Sequence, residues 1–231
     1  MSRHNQPAAA RFVPRPAVAL FLLLCGWYLL TMSGHTYTSD EETMLAVAES
    51  LVERGSFAIE PDFLMNYGTG SATDERYSRY GPGQSLLMVP FLLVGQAVAT
   101  LTPDFADGLV IRLFVLLLPA IVAALTAVVL FAWVREAGHS VRVAVLVALL
   151  FGLTSLAWPY SRTLFSEPTA TLFLVLCGYG IRRKDWRWWL VAGAAAGCAL
   201  AVKHRQGWRS PVLALYALLV GWRESWPATL H

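Results

Sequence analysis

The chain has 231 residues, 56% of them hydrophobic and only 14% charged, with a net charge of +3 and a mean hydropathy of +0.52. This balance excludes an ordinary soluble domain. Apolar runs recur between residues 17 and 220, which points to an all-α, polytopic membrane protein. The basic residues lie in short clusters between those runs, a pattern that suits topology control rather than nucleic-acid binding.

Arg3, Arg11 and Arg15 precede an apolar run over residues 17–32. Ser33-Gly34-His35-Thr36 makes a poor signal-peptidase site, so the run reads as an uncleaved first helix with its N-terminus in the cytoplasm. The largely polar stretch that follows, taken here as an external loop over residues 35–108, opens on Ser39-Asp40-Glu41-Glu42. That tetrapeptide matches a capping box, with Ser39 at the N-cap and Glu42 three residues on. Met44, Leu45, Val47, Ala48, Leu51 and Val52 then recur at helical spacing, and Gly55 supplies the stop. A short amphipathic helix on the outer membrane surface is expected, with Asp40 at its start.

Residues 57–74 read as irregular, with Pro61, Gly68 and Gly70. Tyr77-Ser78-Arg79-Tyr80-Gly81-Pro82-Gly83-Gln84 is a basic and aromatic approach to a tight turn. The apolar run at 85–101 is interrupted by Pro90, Gly95 and Gln96. Spanning segments are expected at 109–134, 141–158, 168–181, 188–202 and 211–221. If 85–101 lies in the outer interface, Arg135 to Arg142 and the cluster Arg182-Arg183-Lys184-Asp185-Trp186-Arg187 both fall inside, as the positive-inside rule requires. If it spans, the second cluster falls outside. The interfacial placement is therefore preferred, and it gives about six transmembrane helices. Gly193 and Gly197 have the spacing of close helix packing. Cys25, Cys177 and Cys198 fall in apolar runs and read as small core residues, and Trp186, Trp188, Trp189, Trp208, Trp222 and Trp226 read as interfacial anchors.

Two acids and several cations carry the possible chemistry. Asp40 with Glu41 is either a helix cap that offsets the dipole or a general base, or metal-assisting acid, facing a substrate at the membrane surface. Glu167, between Ser166 and Pro168, is either a helix start or part of the same site, since two crossings separate it from Asp40 and both acids then face outward. Arg162 is one short loop away and able to pair with it. Arg79, Arg162, Lys203, His204 and Arg205 form the basic complement. Lys203 to Arg205 is external against the usual trend, which either anionic headgroups or a clamp on a lipid-linked phosphate would explain. A transporter driven by intramembrane charge is disfavoured, because the helix centres carry almost no ionisable residues.

With these residues in order, the chain resembles GT-C superfamily membrane glycosyltransferases. The nearest likeness is to dolichyl-phosphate-mannose protein mannosyltransferases and aminoarabinose-transferase-like bacterial proteins (glycosyltransferase family 39 or 83, RgtA/B/C/D-like). Three segments carry the resemblance: Ser39-Asp40-Glu41-Glu42, Tyr77-Ser78-Arg79-Tyr80-Gly81-Pro82-Gly83, and Ser161-Arg162-Thr163-Leu164-Phe165-Ser166-Glu167. It implies a single GT-C-like transmembrane domain over residues 1–231 in the cell (inner) membrane. It also implies inverting transfer of a sugar from a polyprenyl-phosphate-linked donor to an acceptor lipid, glycan or protein on the outer face.

By position the resemblance makes Asp40, with Glu41 beside it, the catalytic acid pair. Arg79, Arg162, Lys203 and Arg205 become the phosphate-binding set, and Asp40 with Glu167 the carboxylates that would hold a divalent cation (Mg or Mn). Relatives of this kind carry several more helices, so the chain corresponds to an N-terminal portion. The competing expectation is a non-enzymatic membrane protein (a lipid-linked sugar carrier, a flippase-like protein or a partner subunit) or an inactive fragment of a transferase.

Overall fold

A computed structural model describes residues 14–60, 67–68, 75–183 and 185–203. The fold is mostly helical. Helix α1, Pro14–Leu30, starts on a proline whose missing N–H no helix needs at that position. Helix α2, Ser39–Arg54, ends where Gly55 turns left-handed (φ 65°) and returns its N–H to the carbonyl of Leu51. Three very short strands follow: β1 Ala58–Ile59, β2 Tyr67–Gly68 and β3 Arg76–Ser78. They pair antiparallel in the order β1-β3-β2, with Ala58 opposite Tyr77 and Tyr67 opposite Ser78. The stretch expected to be irregular thus contributes to a small sheet. Strands of two or three residues are too short to show an alternating pattern in sequence.

Helix α3, Pro82–Ala99, is followed by a 3-10 turn at Asp104–Ala106 and helix α4, Asp107–Val115. Helix α5, Leu117–Glu136, continues from α4 with a break at Leu116. Pro119 explains it, since proline has no N–H to give the Val115 carbonyl and its ring crowds that oxygen. Helices α6, Val141–Thr154, and α7, Ala157–Tyr160, occupy the next expected span, and α8, Glu167–Arg182, with α9, Trp186–Val202, completes the described chain.

Helix α5 is the centre of the bundle, in contact with α1, α6 and α8, while α9 packs along α8. Leu20, Leu24 and Tyr28 of α1 pack against Ala120, Ala123, Ala124 and Ala127 of α5 and Ala144 and Ala148 of α6. These small residues let the backbones approach closely, as apolar helices need when lipid supplies no hydrophobic drive. The hydroxyl of Tyr28 donates to the Gly152 carbonyl at 2.9 Å. Among the described residues nothing lies within 4 Å of a Cβ at Gly193 or Gly197. The close α8–α9 approach falls instead at Gly180, where a Cβ would lie 2.8 Å from the Trp188 carbonyl. Cys177 is buried, as a core residue should be, whereas Cys198 is on the exposed side of α9.

By length and composition, Pro82–Ala99 and Asp104–Glu136 are long and apolar enough to cross a membrane, whereas α1, α6 and α9 are apolar but shorter. The sixth expected span, 211–221, lies outside the described residues. Helix α3 packs mainly on α2 and α4. Its Met88 and Leu92 meet Met44 and Leu45 of α2, Val115 and Leu116, and only the first turns of α5 at Leu118 and Val122. It therefore sits at one end of the bundle rather than along it. At the opposite end, Arg183 pairs with Glu136 at 3.0 Å, which brings together the two basic turns expected to share a side.

Candidate functional site

The acidic motif forms the cap of α2 one residue earlier than its sequence suggests. Thr38 is the N-cap, with extended backbone (φ −138°, ψ 155°), and its hydroxyl oxygen accepts the Glu41 N–H. Thr38-x-x-Glu41 and Ser39-x-x-Glu42 both fit the capping pattern, and the backbone selects the first. Glu41 is 0% exposed. Its Oε1 accepts from the Tyr37 N–H and from the Thr38 hydroxyl, both at 3.2 Å. Its Oε2 accepts the Leu164 N–H at 2.9 Å. Glu42 pairs with Arg112 of α4 at 3.3 Å and accepts from the Thr36 hydroxyl. Asp40 precedes these two, half-buried in the first turn of α2.

Leu164 is gripped from both sides. While Glu41 holds its N–H, the side-chain amide of Gln84 donates to its carbonyl at 3.3 Å. All three sequence motifs meet there: the acidic motif through Glu41, the Gly-Pro-Gly segment through the next residue Gln84, and the 161–167 segment through its own backbone. Ser85 adds a further tie, donating to the Met44 carbonyl at 2.7 Å.

The two glycines of the Gly-Pro-Gly segment have a steric reason. A Cβ on Gly81 would lie 2.2 Å from the Ala201 carbonyl oxygen, and one on Gly83 would lie 2.7 Å from the Val202 nitrogen. The start of α3 thus crosses the last turn of α9 backbone to backbone, and the next residue after that turn is Lys203.

Lys203 forms an ion pair with Glu167 across the α8–α9 hairpin. Both line a cavity of about 560 Å³ whose other walls include Thr126 of α5, Ser155, Tyr160 of α7 and Thr171 of α8. The volume falls within the roughly 300–1,000 Å³ of small-molecule sites. The second carboxylate oxygen of Glu167 is buried with no hydrogen-bond partner among the described residues. Glu167 is therefore anchored by Lys203 and not by Arg162. Arg162 instead donates to the Thr31 carbonyl at 3.5 Å, where α1 ends, and its Nε is buried without a partner among the described residues. Trp158 supports the same junction, donating to the Thr31 hydroxyl at 3.1 Å and stacking 5.5 Å from Trp27.

The structure thus brings Glu167 and Lys203 into one cavity and ties Glu41 to the segment that leads into it. Asp40 is at the same end of the bundle but does not line that cavity. Arg79 is exposed just after β3, and Arg205 lies outside the described residues. Glu41, expected beside Asp40 in catalysis, has both carboxylate oxygens committed and no exposed surface, which makes it a positioning group.

A divalent cation between Asp40 and Glu167 does not fit this cavity. Glu167 is the one carboxylate among its described lining residues, and Lys203 already places a positive charge against it. Among the described residues no three His, Cys, Asp or Glu side chains gather as metal ligands. Gln84, Tyr160 and Thr126 were not singled out by sequence. Nothing marks them there, since a lone amide, a tyrosine and a threonine in apolar context are ordinary helix residues.

The family model for dolichyl-phosphate-mannose-protein mannosyltransferases matches residues 86–230. The match contains Leu164, Glu167 and Lys203 and begins after the acidic and Gly-Pro-Gly motifs. No curated protein and no solved structure matches the chain.

Proposed function

The chain belongs to the dolichyl-phosphate-mannose-protein mannosyltransferase family of the GT-C superfamily, and on that premise we propose that it transfers a sugar from a polyprenyl-phosphate-linked donor to an acceptor hydroxyl at the outer face of the cell membrane. In this reading the protein is multi-pass with a cytoplasmic N-terminus, and α2 and α3 lie in the outer interface. The observation that carries the proposal is the Glu167–Lys203 pair in the lining of a largely apolar cavity between α5, α6 and α8. An ammonium group at the end of apolar walls suits a phosphate attached to a long hydrocarbon. Lys203 has three donors, one of them given to Glu167, and Arg162, on the loop before α8 with its Nε buried and unpaired among the described residues, is a second cation. Arg79 and Arg205 complete the basic set by sequence position.

The bond changes follow from the charges. Asp40 removes the proton of the acceptor hydroxyl as that oxygen attacks the anomeric carbon. The carbon–oxygen bond to phosphate breaks, and polyprenyl phosphate leaves with its new negative charge held by Lys203. Attack opposite the leaving group inverts the anomeric carbon. Glu41 acts through structure: it fixes the first turn of α2, and so Asp40, to the loop that ends in Glu167.

The test is turnover of a polyprenyl-phospho-sugar by purified protein. Asp40→Asn should abolish transfer while leaving folding intact. Unchanged turnover in that variant overturns the assignment of Asp40. Donor binding without turnover in the unmodified protein overturns the transferase reading in favour of a lipid-linked sugar carrier.

A further inference from the structure

A second cavity of about 190 Å³ lies between α2, β3 and the start of α3. Val47 forms one wall, and Phe57, Tyr77, Ser78, Tyr80, Pro82 and Ser85 form the rest. It is smaller than the roughly 300–1,000 Å³ that drug-sized ligands occupy, which restricts it to a single small ring. None of its described lining residues is charged, so it is no place for a phosphate. Phe57 and Tyr77 remain 43% and 36% exposed, leaving aromatic surface open.

Among the described residues, the two serine hydroxyls of the pocket keep hydrogen-bonding capacity. Ser78 Oγ accepts the Tyr80 N–H at 3.0 Å and keeps its hydroxyl hydrogen. Ser85 Oγ donates to the Met44 carbonyl and keeps its lone pairs. Aromatic walls with a donor and an acceptor and no charge match a neutral polyhydroxylated ring, whose C–H faces cover aromatic carbon while its hydroxyls bond at the edge.

Position assigns the ring to the acceptor. Pro82, which lines this pocket, lies between the two glycines that abut the last turn of α9, and Lys203 of the larger cavity follows that turn. The two cavities therefore border one helix crossing. Along α2, Val47 is seven residues from Asp40, about 10 Å at the helical rise. A ring held against Val47 is thus a flanking unit of the acceptor and not the one bearing the reacting hydroxyl.

We infer that this pocket binds one uncharged sugar ring of an oligosaccharide acceptor; the word acceptor rests on the transferase reading above. The full chain, purified in detergent, is titrated with a neutral methyl hexoside and with a neutral disaccharide, and binding is read by saturation-transfer NMR. Both should show contact, and Phe57→Ala should weaken it about tenfold, the scale of one aromatic contact. Ser78→Ala should weaken it too. Lys203→Ala should leave it intact. No saturation transfer, transfer indifferent to Phe57→Ala, or transfer lost in Lys203→Ala each overturns the inference. Ring binding with no sugar transfer by the same sample overturns the transferase reading and leaves the pocket standing. Transfer without ring binding does the reverse.

Discussion

Glu41 and Leu164, 123 positions apart in the chain, are joined across the fold by a 2.9 Å hydrogen bond from a backbone N–H to a wholly buried carboxylate. The same carboxylate caps α2, so one side chain sets both the start of that helix and its distance from the loop before α8.

Glu41→Ala should therefore act on stability before it acts on chemistry. It leaves the buried Leu164 N–H without an acceptor, a loss of about 1–3 kcal/mol, and removes the cap partner of Thr38. Thermal unfolding of the purified protein should show a clear drop. Glu41→Gln, which keeps one acceptor oxygen, should cost less. Equal melting of Glu41→Ala and the unmodified protein would show the tie to be ornamental.

Gly83→Ala tests the crossing of α3 on α9. The new Cβ would lie 2.7 Å from the Val202 nitrogen and 2.8 Å from the Ala201 carbonyl carbon, neither of which is a side chain able to swing away. Overpacking of this kind costs about 1–3 kcal/mol. Gly193→Ala is the control, because its Cβ meets nothing among the described residues and alanine is favoured over glycine inside a helix by about 1 kcal/mol. Unfolding temperatures of the two variants should move in opposite directions. A neutral Gly83→Ala would mean the crossing opens readily.

Lys203→Gln probes the donor phosphate. Removing a charged donor weakens a phosphate contact by about 1.5–3 kcal/mol, so donor KM should rise roughly 10- to 100-fold. Acceptor KM should change little. Steady-state kinetics with each substrate varied in turn separates the two, and an unchanged donor KM together with an unchanged kcat removes Lys203 from the site.

Glu49 supplies a pH prediction. Burial in the face of α2 pushes its carboxyl up first, Glu53 and Glu42 repel its charge, and Arg112 of α4 opposes them. A carboxyl raised in the folded state stabilises the fold while protonated in both states, below about pH 4, and loses that contribution as pH rises through its folded value. Glu49→Gln should therefore melt higher than the unmodified protein at about pH 7.5, with the difference vanishing near pH 4. Equal melting at the higher pH contradicts the burial argument.

Helix identity was legible wherever a terminus carries local chemistry. Gly55 ends α2, Pro168 sits in the first turn of α8, and the basic turn at 182–187 separates α8 from α9, all as the residues suggest. The register of the α2 cap was not legible, because Thr38 and Ser39 are both hydroxyl residues with a glutamate three positions on. Sequence proximity favoured Arg162 as the partner of Glu167. The ion pair goes to Lys203 because Glu167 opens α8 and Lys203 closes α9, and a helical hairpin returns its end to its beginning. The role of Leu164 lies in its backbone, which no residue type announces. Gly193 and Gly197 share a helix face, and no described residue packs within reach of a Cβ on it.

The meeting of Glu41, Gln84 and Leu164, closed by the contact of Gly83 with Val202, also sets a timetable. A ribosome that has released the acidic motif has already made Tyr37 and Thr38, the local partners of one Glu41 oxygen, but the other oxygen must wait until Leu164 emerges. The crossing by Gly83 must wait longer still, for the end of α9. Such contacts between distant parts of a sequence form late because chain entropy is lost before they return anything. Through most of synthesis, then, α2 is an amphipathic segment whose Glu41 lacks its distant partner, and the last turn of α9 is the latch that converts a row of inserted helices into a site.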